Sequence, residues 1–195
     1  KAGDLILDIA TGTAVIPREL VKKNEYPDMR IIGLDITESM LKQGKKEIHS
    51  DQFSSPINLT CGDAVALPFC NGSFDVIVTG LASHHMNIPD LLSEVQRVLK
   101  PDGFFSMIDV GTSPLWKSVI VRSVLRVIAF TYFLFKENYS RALAEASALS
   151  NVQTIQDWEK DLNDKGFNSI KTTLLDAKYK WFPEPFAILA NKEKS

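Results

Sequence analysis

Cysteine is scarce in this 195-residue chain: Cys61 and Cys70 bracket a short loop, and there are no others. Two thiols make no disulfide framework, and with no partner pair at ligand spacing they make no zinc site. They are expected to be reduced, small core residues of a cytosolic protein. No convincing cluster of metal ligands occurs elsewhere, so no metal is expected. There is no Lys/Arg block: 22 basic and 24 acidic residues, net charge −2, are spread along the chain, which argues against a surface that tracks a phosphate backbone, and so against nucleic acid. No signal peptide and no uninterrupted apolar run of bilayer length are visible, so the expected location is cytoplasmic. Repeats, low-complexity segments and linkers are also missing, and residues 1–195 read as a single domain.

What is present is alternation. Apolar runs at Leu5–Ala10, Arg30–Asp35, Ile57–Cys61, Phe74–Thr79 and Phe104–Val110 read as strands buried on both faces of a parallel sheet. Amphipathic stretches at Pro17–Lys23, Thr37–His49 and Pro89–Leu99 separate them. In the last, Leu91, Leu92, Val95, Val98 and Leu99 fall on one stripe; Pro89 suits a first turn, and Pro101-Asp102-Gly103 stops the helix. Beyond strand five, Pro114–Lys136 reads as a long apolar helix and Ser140–Ser150 as a second. Thr154–Lys165 is a third, ended by Gly166. Phe167–Asp176 and Tyr179–Ala190 read as an antiparallel pair at one sheet edge. The fold class is α/β: a doubly wound, seven-stranded, mostly parallel sheet with an antiparallel last strand and helices on both faces. The first residues, Lys1-Ala2-Gly3-Asp4, lead at once into a buried strand, so a segment upstream is expected to be missing.

Chemistry gathers at the strand ends. Leu7-Asp8-Ile9-Ala10-Thr11-Gly12-Thr13-Ala14 closes strand one with small residues that let the backbone turn and approach a ligand, and a helix starting near Ala14 points its amides there. Asp35 ends strand two, where a carboxylate accepts from both hydroxyls of a ribose. Gly62-Asp63-Ala64 follows strand three, with Asp63 placed for an adenine amino group, and Thr79-Gly80 ends strand four beside the same crevice.

Together these residues resemble the class I S-adenosylmethionine-dependent methyltransferases, a Rossmann-like family, over essentially the whole chain. Asp8–Ala14 is similar to the family's glycine-rich motif, Leu34-Asp35-Ile36-Thr37-Glu38-Ser39-Met40-Leu41 to its ribose motif, and Gly62–Phe69 to its adenine motif. Leu92–Gly103 closely matches the helix and turn before strand five, which is architectural. Within the family, the likeness is greatest to the ubiquinone/menaquinone-biosynthesis C-methyltransferases. The resemblance implies S-adenosylmethionine as cofactor and methyl transfer to a small, apolar or aromatic molecule. The cofactor-binding residues it implies are Asp8, Ala10, Gly12, Thr13, Asp35, Asp63, Ala64 and Gly80, with Ile36 and Met40 packed near the adenine. The chain departs from the family at Ala14, where glycine is usual, and in having no helices before strand one to cover the site.

His84 and His85 follow strand four at the mouth of this site. A neutral imidazole there takes a proton from a hydroxyl or activated ring carbon, and His85 is favoured over His84 as that base; the alternative is structural packing. Residues 114–150 form a helical insertion or lid. Within 115–135, Arg122 and Arg126 are four apart on one face, which suits a lid with snorkelling arginines or a peripheral membrane contact. Two other function classes stay open: an NAD-dependent oxidoreductase, disfavoured because the first loop lacks Gly-x-Gly-x-x-Gly, and a cofactor-binding protein without catalysis.

Overall fold

The five apolar runs become neighbouring strands of one sheet in the computed structural model, which describes residues 3–23, 28–51, 57–110, 119–136, 139, 143, 146–147, 153–176 and 185–193. Strands β1 (Leu5–Ile9), β2 (Arg30–Asp35), β3 (Ile57–Cys61), β4 (Phe74–Gly80) and β5 (Leu99–Val110) are mutually parallel. β7 (Pro185–Lys192) is antiparallel to both β5 and β6 (Phe167–Leu174). The order β3-β2-β1-β4-β5-β7-β6 makes the winding reverse between β1 and β4. In an open parallel sheet, the crevice at such a reversal, at the carboxyl ends of the strands, is where ligands bind.

Strand periodicity sorts the core. Leu7, Ile9, Ile77, Phe105 and Met107 point to one face, under helices α3 (Ile88–Val98) and α5 (Ile155–Asp164), whose Leu91, Leu92, Val95, Trp158 and Leu162 complete the larger cluster. Ile6, Ile31, Val76 and Val78 point to the other, under Leu20 and Val21 of helix α1 (Val15–Lys23). Helix α2 (Glu38–Asp51) packs against β2 and β3. On the α1 side, the β5–β7 half of the sheet is more open: Ile108 and Leu189 are 43% and 38% exposed.

Local chemistry sets the helix ends. Asn87 accepts the Asp90 N–H at 3.3 Å to start α3, and Thr154 with Asp157 forms a reciprocal capping box at α5. Gly166 (φ +79°) follows α5 in the left-handed region. Strand β5 begins earlier than the sequence suggests. Leu99 already pairs with Phe74, the register then shifts, and Asp102 (φ +59°) sits in the turn before Val76 pairs with Phe104.

Two expectations need correction. Cys61 and Cys70 are both exposed rather than in the core. Cys61 ends β3, which lies at the edge of the sheet and keeps Asn58 and Cys61 exposed; β3 is therefore not buried on both faces. The helix expected at Ser140–Ser150 lies largely outside the described residues, as do 114–118 and the start of the segment 179–190.

Helix α4 (Val119–Lys136) is unlike the others. Val119, Ile120, Val124, Val127, Ile128 and Tyr132 are each more than half exposed, and Phe135 is 90% exposed. Among the described residues, no helix is long and apolar enough to cross a membrane.

Candidate functional site

Between β1 and α1 the backbone takes three left-handed steps at alternate residues: Ala10 (φ 57°), Gly12 (φ 55°) and Ala14 (φ 62°). For a residue with a Cβ each such step costs roughly 1–2 kcal/mol, so the surroundings must fix it. Here the Thr11 N–H bonds Leu34 O at 3.0 Å and the Ala14 N–H bonds Thr11 O at 2.8 Å. Ala14, standing where glycine is usual, is fully buried and still adopts the left-handed conformation.

Asp35 ties this turn to the next. Its Oδ2 accepts the Gly12 N–H at 2.8 Å and its Oδ1 accepts the Thr37 N–H at 2.8 Å. Each carboxylate oxygen has a second lone pair, so the group retains capacity for two further donors. The Gly62 N–H bonds Asp35 O at 3.1 Å and joins the end of β3 to the end of β2. A Cβ at Gly62 would lie 2.9 Å from Leu34 Cδ1, so a side chain there would require buried Leu34 to shift. Asp63 Oδ1 accepts the Val65 N–H at 3.0 Å, shaping the loop beyond.

That loop is clamped by α3. Glu94 Oε2 accepts the Leu67 N–H at 2.6 Å and pairs with Arg97 at 2.7 Å. Arg97 in turn donates to Leu67 O, Phe69 O and Asn71 Oδ1. Its guanidinium beside Glu94 holds that carboxyl below the usual range. Lys100, next in the same motif, pairs with Asp75 at 2.7 Å, whose Oδ2 also accepts the Leu5 N–H. The architectural stretch therefore braces the starts of β1 and β4 and the loop after β3.

Asp8 is 1% exposed. Its Oδ2 accepts the Thr11 hydroxyl at 2.5 Å, while Oδ1 has no hydrogen-bond partner among the described residues. Burial pushes its carboxyl up to about 7; the Thr11 bond opposes that shift and the Asp35 charge adds to it. A buried carboxylate oxygen left without a donor suits a cationic group arriving with a ligand.

At the end of β4, a Cβ at Gly80 would meet Ile16 Cδ1 at 3.0 Å. The Leu81 N–H extends the ladder to Ile108 O at 2.8 Å, and Leu81 then turns left-handed (φ 54°) into a 3-10 turn, Ser83–His85. The His84 and His85 rings lie 4.2 Å apart. At the end of β5, buried Asp109 accepts the Ser83 hydroxyl on Oδ2 and the Val110 N–H on Oδ1 at 2.7 Å. Burial raises its carboxyl to about 6.

One cleft collects much of this. Ala10, Leu34, Asp35, Ile36, Gly62, Asp63, Ala64, His85 and Met86 line it. The structure thus brings together Ala10, Asp35, Ile36, Asp63, Ala64 and His85 from the sequence-derived set. Asp8, Gly12 and Thr13 belong to the turn beside it, Met40 lies against Gly12, and Gly80 sits toward Ile16, so these do not line this cleft. Sequence reasoning missed Ser83 and Asp109. The signal for Asp109 was available: it is the acidic residue at the carboxyl end of β5, as Asp35 is of β2.

Comparison with known proteins points to one family. A family model described as a methyltransferase domain matches residues 7–107. Demethylmenaquinone methyltransferase from Symbiobacterium thermophilum is 33% identical over 140 residues, 71% of this chain and 51% of that protein. Ubiquinone/menaquinone biosynthesis C-methyltransferase from Dinoroseobacter shibae is 35% identical over 115 residues, 58% of this chain and 45% of that one. The chain spans about half the length of these curated relatives. A SAM-dependent methyltransferase structure from Aquifex aeolicus superposes with a TM-score of 0.66 at 15% identity, covering 98% of this chain and 83% of that one, which shows a shared fold. With its fold, its strand-end motifs and the family match over residues 7–107 in agreement, this chain belongs to the methyltransferase domain family.

Proposed function

We propose that the chain binds S-adenosylmethionine in this cleft and transfers its methyl group to a small, apolar or aromatic acceptor, with C-methylation of a quinone precursor the leading case. One observation carries the reading: Asp35 and Asp63, from the ends of β2 and β3, line one cleft beside the Ala10–Ala14 turn. Asp35 would accept from the ribose hydroxyls with its spare lone pairs, and Asp63 from the adenine amino group. Buried Ala64 and exposed Ile36 offer apolar surface to the base. Asp8, with its unpaired buried oxygen, fits the ammonium group of the methionine moiety. Gly12, Thr13 and Gly80 keep backbone close to the ligand. When bound, this cofactor supplies a methyl group on sulfonium, an already activated leaving group. The chain's remaining task is to hold the acceptor in line and keep water out. Where the acceptor must also lose a proton, His85 or His84 would take it as a neutral imidazole.

Residues 114–150 would form the acceptor-side lid, as their place after β5 suggests. A peripheral membrane contact through 115–135, for a cytoplasmic protein meeting a lipophilic acceptor, is the second reading. The exposed apolar residues of α4 favour it.

Transfer of label from methyl-labelled S-adenosylmethionine to a panel of apolar and aromatic acceptors tests the main reading. Wild type should label at least one acceptor. Asp35→Ala should raise the KM for S-adenosylmethionine at least tenfold, since each bond to a charged partner contributes about 1.5–3 kcal/mol. Label transfer with unchanged KM in a folded Asp35→Ala variant would move the ribose elsewhere. No transfer to any acceptor, with the cofactor bound, would leave a binding protein without catalysis.

A further inference from the structure

The loop that leaves β4 contains a costly step. Leu81 is left-handed at φ 54°, and its side chain is 56% exposed, so no core packing holds it there. Non-glycine residues keep such a conformation only where bonds on both sides dictate it. On one side is the Leu81 N–H to Ile108 O bond. On the other is Ser83, 5% exposed, whose hydroxyl donates to Asp109, itself 4% exposed. Both anchors belong to the last residues of β5, so the turn is fastened to the end of an interior strand of the sheet rather than to its own loop. The turn then closes through His85 N–H to Ala82 O at 3.1 Å and Met86 N–H to Ser83 O at 2.9 Å. Its last residue, His85, and the next, Met86, are two of the walls of the cleft that holds Asp35 and Asp63. Ala82, the residue that caps the turn, has no side-chain cap to offer.

We propose that Asp109 is a positioning residue: through the Ser83 hydroxyl it fixes the turn that sets His85 and Met86 against the cofactor cleft, and so governs cofactor affinity without touching the reacting atoms. The proposal rests on the cofactor reading above. It is specific about the route, from Asp109 through Ser83 to His85, and therefore about which changes fail to add.

Ser83→Ala removes one oxygen and nothing of the core. Asp109→Asn keeps the volume and one acceptor, but cannot accept from both Ser83 and the Val110 N–H. Affinity for S-adenosylhomocysteine, by calorimetry, should fall about tenfold in Ser83→Ala and by a smaller factor in Asp109→Asn. His85→Ala should weaken binding too, and Ser83→Ala with His85→Ala should be no weaker than the worse single variant. Amide hydrogen exchange without any ligand should quicken at Leu81–Met86 in both Ser83→Ala and Asp109→Asn, and stay unchanged in β1 and β2. Wild type failing to bind S-adenosylhomocysteine would overturn the cofactor reading and this proposal with it. Wild type binding normally, with Ser83→Ala and Asp109→Asn equal to it, would overturn this proposal alone. So would additive losses in the double variant, which would mean that Ser83 supports the fold and not His85.

Discussion

Asp8 is buried at the carboxyl end of β1, with one carboxylate oxygen that meets no donor among the described residues. Its place in a turn motif was legible, because Ala10, Gly12 and Ala14 allow a sharp bend after an apolar run. That one of its oxygens would be buried without a donor depends on how β1, β2 and β4 close around it. The consequence is a pH dependence of stability. An ordinary aspartate titrates near 3.8, and burial lifts Asp8 to about 7. Between those values the folded chain holds a proton that the unfolded chain has released, so stability falls as pH rises through that window. Asp109, raised to about 6, acts in the same direction. Asp8→Asn is neutral throughout and should flatten most of this fall. The melting temperature of wild type should drop between pH 4.5 and 8, and that of Asp8→Asn should drop clearly less; parallel curves would show Asp8 to be ordinarily charged in the fold. Asp35, in contrast, was legible as a strand-end carboxylate, yet its bonds to the Gly12 and Thr37 amides were not. Those bonds mean that removing it also loosens two turns, so affinity should be compared below the variant's own melting range.

Among elements, α3 was the best specified by sequence. Its apolar stripe, Asn87 cap and Pro89 all serve one packing, and Arg97 and Lys100 reach across to bind what the motif cannot name, the loop Leu67–Asn71 and Asp75. β3 was misjudged because an apolar run reads the same at the edge of a sheet as at its centre; strand order is a long-range property. Helix α4 was legible as a helix, but its surroundings were not. Val119, Ile120, Val124, Val127, Ile128 and Phe135 are exposed, and its sequence from Val119 to Lys136 carries three basic and no acidic residues. An 18-residue helix extends about 27 Å at 1.5 Å per residue, long enough to lie along a lipid surface with Arg126 toward headgroups. Co-sedimentation with anionic vesicles at low salt should capture wild type, capture should weaken as salt rises, and Arg122→Gln with Arg126→Gln should weaken it further. Equal behaviour with neutral and anionic vesicles, or no capture at low salt, would leave α4 as the acceptor lid.

At the scale of the whole molecule, alternation of strand and helix foretold a doubly wound sheet, and the order β3-β2-β1-β4-β5-β7-β6 with β7 antiparallel is that sheet. The order matters because it brings Asp8 at the end of β1, Asp35 at the end of β2 and Asp63 just beyond β3 to the carboxyl side of three adjacent strands, where Asp35 and Asp63 line one cleft beside the turn that follows Asp8. We propose that this site holds the adenosyl cofactor of methyl transfer and not a dinucleotide. Isothermal titration of the wild-type chain with S-adenosylhomocysteine, and separately with NAD, tests it most directly. A single site per chain for S-adenosylhomocysteine and no heat of binding from NAD are expected. Heat from NAD, with none from S-adenosylhomocysteine, would contradict it.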